Sequence, residues 1–568
     1  MSGSKRNKWL SLLLPACWAA FLAGPSPGRA APGPASTSSP IRFSDITRQT
    51  GIDFVHTDGS SGRRYIVETV SAGLATFDYD GDGLTDILFL NGTPLGEARI
   101  EPAPTCRLYR NEGDWRFTDV TRRARLDVPS YALGVAVADY DNDGDLDVFL
   151  NNFGPNRLFR NRGDSTFEEV AAAAGVADTD THVGAGAVFF DMDGDGKLDL
   201  YVGHYVGFTY ARHHIVRFNG HPAYVGPLNY PTTASRLYRN NGDGTFSDAS
   251  EASGIAAHEG AAMGVVASDF DADGDTDLFV GNDETGNFLF VNDGHGRFRE
   301  SGLLRGVAYD AGGRAHGTMG VECGDYDNDG RLDFYATSFQ REAPVLFRNR
   351  GDGLFDDVTA TSGAGARMAS LVTWGCGLVD LDNDGHRDLF VAAGHLQDNV
   401  ELYDTSTTYR QRNRVLRNLG NGQFTDVTDQ SGDGLRIELS SRGAAFDDLD
   451  NDGDLDVVIL NSRREPTVLR NDTPPVNRWL QLQLRGTTTN RDGVGARVIV
   501  RTAGLTLTDE VHSGRSYQSH FGTRLQFGVG RCDQIEQVEV RWIGGGTNII
   551  RDPAVNRVLT VREAASGP

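Results

Sequence analysis

Cysteine is scarce, with five in 568 residues, and that is few for a chain whose fold would rest on a disulfide framework. Positive charge is in deficit: 54 Lys and Arg stand against 78 Asp and Glu, a formal net charge of -24. With no basic stripe to offset it, that balance argues against a nucleic-acid backbone as partner. Past residue 30 no stretch is apolar enough to cross a membrane. Also missing are a Ser/His/Asp elbow, a phosphate-cradling glycine loop and a metallohydrolase histidine pair, which removes the commonest hydrolase and nucleotide chemistries.

What the chain has is aspartate in a fixed pattern. D-x-D-x-D-G-x-x-D occurs seven times, with acids at positions 1, 3, 5 and 9 and glycine at position 6. Alternate side chains of a tight loop converge, so the carboxylates at 1, 3 and 5 and the backbone carbonyl of 7 form an oxygen set for a hard cation. Calcium takes six to eight oxygens at about 2.3–2.6 Å, and glycine permits the turn. Magnesium, stricter in geometry, fits less well. The expected ligands are Asp78, Asp80, Asp82, Leu84 and Asp86; Asp139, Asp141, Asp143, Asp145 and Asp147; Asp191, Asp193, Asp195, Lys197 and Asp199; and Asp269, Asp271, Asp273, Asp275 and Asp277. The set continues with Asp325, Asp327, Asp329, Arg331 and Asp333; Asp380, Asp382, Asp384, His386 and Asp388; and Asp448, Asp450, Asp452, Asp454 and Asp456. Position 7, the fourth residue named in each set, contributes its carbonyl. A bare hairpin turn explains one such loop, but not seven with every acid in place, because uncompensated carboxylates this close repel. About seven calcium ions are expected as the cofactor.

Around each loop a longer unit recurs: an apolar Gly/Ala/Val strand, the loop, a second strand, Leu-Tyr-Arg-Asn, a Gly-Asp-Gly turn and Phe-x-Asp. Third strands end at Asn111, Asn161, Asn240, Asn292, Asn349, Asn418 and Asn471, but fourth strands begin only at Phe117, Phe167, Phe246, Phe298, Phe355 and Phe424. The missing fourth strand stands at the other end, as Phe43-Ser-Asp45. A permutation of this kind requires the two ends to meet, so residues 41–473 are expected to form a seven-bladed β-propeller, an all-β fold that closes its own sheet edges. An open solenoid would leave both halves unpaired.

Hairpin parity puts the calcium loops on one face and the connections from second to third strand on the other. Two of these connections are long, 38 positions from Asp199 to Leu237 and 27 from Asp388 to Val415. The first carries His204, Tyr205, Tyr210, His213, His214, His221 and Tyr224, and the second carries His395. These eight are the candidate ligand-binding residues. The insert is read as an aromatic lid, as a ligand surface, or as a transition-metal site from His213, His214 and His221; a further surface on the tail, around Tyr517 and Arg541, is the fallback. Cys323 and Cys376 fall on the same face of equivalent strands, as two buried thiols or as a bridge. Cys106 and Cys532 have no evident partner.

The ends differ in character. Lys5, Arg6 and Lys8 precede an apolar run from Trp9 to Ala23 and small residues to Ala30, which reads as a signal peptide over 1–30; an uncleaved anchor and a lipoprotein through Cys17 are the alternatives. Residues 31–40 form a Pro/Ala/Ser linker. After Pro475 the repeat pattern ends, and residues 476–563 are expected to form a small β-sandwich of short strands and glycine turns, with 564–568 as a tail.

The repeats resemble the FG-GAP and VCBS repeats of integrin-type propellers. Asn477-Arg-Trp-Leu480, Asn490-Arg-Asp-Gly-Val-Gly-Ala-Arg497, Ser513-Gly-Arg-Ser-Tyr-Gln-Ser519 and Val538-Glu-Val-Arg-Trp542 resemble the ASPIC and UnbV domain of the cartilage acidic protein-like family. That resemblance implies calcium binding and a secreted, periplasmic or cell-surface location, with no established activity. The expected function is a monomeric, non-enzymatic binding or adhesion module whose partner is a protein, a glycan or a small molecule, with no nucleic acid and no transmembrane segment in the mature chain. The alternative is an accessory protein or enzyme of secondary-metabolite or carbohydrate processing, with its site over the propeller axis; that reading needs a titratable pair in a cleft.

Overall fold

The computed structural model describes residues 40–179 and 182–564. The expected signal segment, residues 31–39 of the linker and residues 565–568 lie outside them. Residues 43–471 form seven four-stranded antiparallel sheets. In each, the ninth loop residue opens the second strand, as in Asp86–Phe89 and Asp147–Asn152, and the fourth strand begins at the expected phenylalanine, as in Phe117–Asp119. The seventh sheet is completed by Phe43–Asp45, which pairs antiparallel with Thr467–Asn471, Phe43 opposite Asn471. The innermost strands of successive sheets pack against one another round a closed cycle, and that of the seventh, Ser441–Asp447, meets that of the first, Leu74–Phe77. This is a seven-bladed propeller. Among the described residues no helix is long and apolar enough to cross a membrane.

The asparagine that ends each third strand ties the ring together. Asn240 Nδ2 donates to Leu198 O of its own loop at 2.9 Å and to Tyr140 O of the preceding blade's loop at 2.8 Å. All seven copies repeat this pair of bonds, and Asn111 closes the circle by donating to Leu449 O at 2.8 Å. These amides are buried, so removing one strands two carbonyls that have no water to turn to. Asn240→Ala is therefore expected to cost about 2–4 kcal/mol, read as a shifted denaturation midpoint. A shift within error would show that the amides are dispensable to the ring.

The tail forms two sheets. One orders Leu525–Gly530, Arg478–Arg485 and Val558–Arg562; the other orders Thr506–Glu510, Arg497–Arg501, Gln537–Arg541 and Thr547–Arg551. Leu480, Leu482, Val498, Val500, Val538 and Val540 share their core, as alternation in a sandwich requires.

The segment joining Thr506–Glu510 to Leu525–Gly530 does not stay with the sandwich: it enters the propeller axis. His512 through Phe521 are all buried and meet the inner strand of every blade. His520 N donates to Leu74 O at 3.0 Å, Val135 N to Gln518 O at 3.2 Å, Phe189 N to Ser513 O at 3.1 Å and Ser516 N to Val321 O at 2.9 Å. His512 Nδ1 contacts Ala267 O at 2.9 Å, and Ser516 Oγ donates to Cys376 O at 2.7 Å. In the seventh blade Phe521 packs edge-on against Phe446 at 5.1 Å. Glycine in or just before the inner strands makes the approach possible: a Cβ on Gly73 would sit 1.8 Å from Gln518 O, and one on Gly264 2.8 Å from Ser516 O. The plug also corrects one expectation, since Tyr517 is wholly buried and offers no surface. Cys323 and Cys376 are both buried and unbridged, flanking the plug.

Candidate functional site

The seven aspartate loops turn as their sequence demands. Backbone φ is positive at position 4, where Gly81, Asn142 and Asn328 tolerate it, and at the glycine of position 6. The first aspartate accepts the backbone N–H groups that follow it: Asp78 Oδ1 from Gly81 N at 2.8 Å, Oδ2 from Gly83 N at 2.8 Å. Position 9 is an anchor as well as a candidate ligand: Asp86 Oδ2 accepts Tyr79 N at 3.0 Å and Oδ1 accepts Asn111 N at 2.7 Å, holding third strand to loop. The arginine of Leu-Tyr-Arg-Asn takes the outer oxygens of positions 3 and 5, with Arg110 Nε on Asp80 Oδ2 at 2.7 Å and Nη2 on Asp82 Oδ2 at 2.6 Å. Arg348 and Arg417 repeat this clamp.

That arrangement leaves an inner oxygen. Oδ1 of Asp80, Asp193, Asp271, Asp327 and Asp382 is buried with no hydrogen-bond partner, although a buried acceptor of this strength is costly unpaired. Ligand oxygens of Asp78, Asp80 and Asp82, of Asp139, Asp141 and Asp147, and of Asp191, Asp193 and Asp199 lie within 4.8 Å of one another. Burial, with neighbouring carboxylates adding to it, pushes Asp139 and Asp325 up to about 7 and Asp191 and Asp269 up to about 6. The repeated orphan oxygen, the convergence and the crowding are each relieved by a cation bound to oxygens, so the residues present fit calcium.

The tail lies over this face. Gln481 Nε2 donates to Asp448 Oδ2 at 2.8 Å, Asp139 N to Asp492 Oδ2 at 2.6 Å, and Arg497 Nη2 to Gly330 O at 2.6 Å. Nothing in the repeat pattern announces this cover.

On the opposite face the two long inserts meet. Asn399 Nδ2 donates to Pro222 O at 2.9 Å, Gln397 and Tyr224 exchange two bonds at 2.9 Å, and Phe218 packs on Tyr403 at 5.4 Å. Beneath them lies a cavity of about 760 Å³ over the axis. Its floor includes Met263 and Trp374 of inner strands and Met319 just before another, with Tyr517 of the plug edge-on to Trp374 at 4.9 Å. Its walls carry Tyr205, Arg217, Phe218 and Tyr224 from one insert, Gln397, Tyr403 and Asp404 from the other, and Asp283 and Glu284. Tyr205 Oη donates to Asp283 Oδ2 at 2.7 Å, and burial pushes that carboxyl up to about 7.

Of the eight candidate ligand residues, Tyr205, Tyr224 and His395 line the cavity and five do not. Tyr210 and His213 pack on Tyr65 at 5.0 and 4.7 Å, and His213 Nε2 lies 2.7 Å from Arg63 O. His214 sits against Tyr230, and His221 pairs with Phe218 across the hairpin. His204 is buried beside Asp178. The insert is thus lid and wall at once. Asp283, Trp374 and the two methionines escape sequence reading because they lie on regular strands or short turns; their signal was only their place at the strand ends facing the inserts.

Residues 78–150, 141–202, 223–280, 269–336, 325–391 and 380–459 match the FG-GAP-like repeat, and 486–568 match ASPIC and UnbV. Cartilage acidic protein 1 of Mus musculus is 26% identical over 297 residues, covering 50% of this chain and 43% of that protein. That of Homo sapiens is 26% identical over 280 residues, covering 48% and 39%, so each match spans less than half of the relative. Among solved structures, YCF48 bound to D1 peptide is 8% identical, covering 78% of this chain and 99% of that one, with a TM-score of 0.39. An Agrocybe aegerita lectin that recognises non-reducing terminal N-acetylglucosamine is 18% identical, covering 63% and 80%, with a TM-score of 0.34.

Proposed function

The chain belongs to the cartilage acidic protein-like family, FG-GAP-like repeats followed by an ASPIC and UnbV domain, and from that premise we propose a secreted, calcium-stabilised binding module whose ligand enters the cavity between the two inserts. The observation that carries this reading is the cavity itself. It is concave and over the axis, it mixes aromatic faces with carboxylates, guanidinium groups and amides, and it stands at the far end from the calcium loops. Calcium holds the blades; the inserts hold the ligand. The lining suits a small ligand rich in hydroxyl or amide groups, such as a glycan end, a peptide end or a polar metabolite.

Catalysis is less well supported. Several groups of the lining are engaged, Asp404 with Arg341 at 3.0 Å, His395 Nδ1 with Gln397 N at 2.9 Å and Asp283 with Tyr205, while burial raises the carboxyl of Glu284 beside Asp283. A catalytic reading would have to use Asp283 and Glu284, the adjacent raised carboxyls of the lining.

A panel of glycans, peptides and metabolites screened against the mature protein in saturating calcium should yield a ligand. Val206, Phe208 and Tyr230 of the insert are core residues, so the test variant is confined to the rim, as Phe218→Ala with Tyr403→Ala. Its affinity should fall about tenfold or more with the melting midpoint little changed, each lost aromatic contact being worth about 0.5–1.5 kcal/mol beyond its buried area. Full-strength binding by the double variant would place the site elsewhere.

A further inference from the structure

Where the first insert leaves its blade and returns to it, Asp178, His182 and His204 converge, with ligand atoms of all three within 4.8 Å of one another. His204 ends the strand Asp199–His204 and is buried. Its Nδ1 lies 2.9 Å from Ala234 O on the returning segment, so that nitrogen carries the proton and the lone pair of a neutral ring is left on Nε2. Nε2 faces Asp178 Oδ2 at 3.4 Å, outside the span of an N–H···O hydrogen bond. The ring of His182 stacks on that of His204 at 4.1 Å and 16°.

We infer that Asp178, His182 and His204 bind a borderline divalent ion of the zinc class, distinct from the calcium of the seven loops. Zinc bonds to nitrogen and oxygen are about 2.0–2.2 Å, and the edge of such a tetrahedron is about 3.4 Å, which is the separation found between His204 Nε2 and Asp178 Oδ2. Calcium takes oxygen ligands, and a set with two imidazoles does not suit it. The carbonyl behind Nδ1 is the outer partner that zinc-binding histidines use to fix ring and tautomer. Arg236 Nε, 3.7 Å from the same carboxylate oxygen, opposes the ion electrostatically and sets the affinity below that of a closed cysteine site. Three protein ligands leave a fourth position for water. Tyr205, next to His204, is a cavity wall, so the ion would pin the root of the ligand site without touching the ligand.

The test uses the mature protein in millimolar calcium, titrated with zinc against a chromophoric chelator and, separately, with cobalt(II). One zinc per chain is expected, together with the intense visible absorption of tetrahedral cobalt, which six-coordinate cobalt in oxygen loops does not give. His182→Gln, on the less buried ring, should weaken zinc binding about a hundredfold; Asp178→Asn serves as a second variant should the first lose its fold. Zinc uptake unchanged in both variants would assign the ion to the aspartate loops. No uptake by the parent protein would leave an imidazole–carboxylate contact without a metal. Either result overturns the inference.

Discussion

Chelating calcium from the mature protein is expected to lower its thermal midpoint by about 10–20 °C. Each site filled at a hundredfold excess over its Kd contributes about 2.7 kcal/mol, and the loops stand in all seven blades, so no part of the ring escapes. The effect should extend past the loops themselves. Gln481 holds the Asp448 carboxylate, and Glu510 Oε2 accepts both Ser268 Oγ at 2.9 Å and Asp269 N at 3.3 Å. The tail thus docks on loops whose like charges are no longer compensated once the ion is gone. Chelation should therefore open the plug, seen as new proteolysis or amide exchange within residues 511–523, at temperatures below the main transition. An unchanged midpoint would remove calcium from the account of stability. A lowered midpoint with the plug still protected would mean that blades respond one at a time, as near-independent repeats do.

The ring was legible because its information is local. Seven copies of one loop and one third strand give blade and period, and the unpaired Phe43-Ser-Asp45 and Thr467–Asn471 can only meet each other. The face bearing the inserts followed from hairpin parity. What stayed hidden is what only a distant contact explains. The asparagine of Leu-Tyr-Arg-Asn recurs visibly, but its partner is a carbonyl of another blade, for Asn111 one 338 residues away. Ser513-Gly-Arg-Ser-Tyr-Gln-Ser519 reads as a polar surface loop by composition, yet all of it is buried. It is polar because the inner strands present unpaired backbone groups to the axis, and those must be met by hydrogen-bonding groups. The missed signal was the glycine in or just before those strands, at Gly73, Gly264, Gly320 and Gly443, each marking a backbone or side chain that approaches too closely for a Cβ. The histidines divide on distant contacts too: His395 lines the cavity, whereas His204 meets Asp178 and His182 from the preceding connection.

Arg515→Ala is expected to destabilise the protein by about 3–5 kcal/mol, the usual cost of breaking a buried ion pair from one side. The guanidinium sits deep in the plug at 4% side-chain exposure and grips Glu322 of the fifth blade, itself at 0%. Nη2 lies 2.6 Å and Nε 2.9 Å from Oε1, and the other face of the pair is closed by Phe521, 4.8 Å from the guanidinium carbon. Burial raises the carboxyl of Glu322, and Arg515 is the main force holding it down. Without the arginine, that charge is left in the channel wall. Replacing both partners by apolar residues of similar volume, Arg515→Met with Glu322→Leu, should recover much of the loss, because it is the stranded charge rather than the missing attraction that costs. The two cysteines report on the plug directly. Cys323 Sγ lies 3.5 Å from His512 Nε2, and Cys376 N donates to Ser516 Oγ at 2.8 Å. With the plug seated both thiols are buried, and burial pushes them well above the ordinary thiol range, so neither should react with a thiol reagent in native buffer. In Arg515→Ala both should label before the propeller melts, while Arg541→Ala, whose side chain is exposed on the tail, should leave stability and labelling at the level of the parent protein. If Arg515→Ala keeps its cysteines as protected as the parent does, backbone bonds alone seat the plug, and the ion pair is not what joins the tail to the ring.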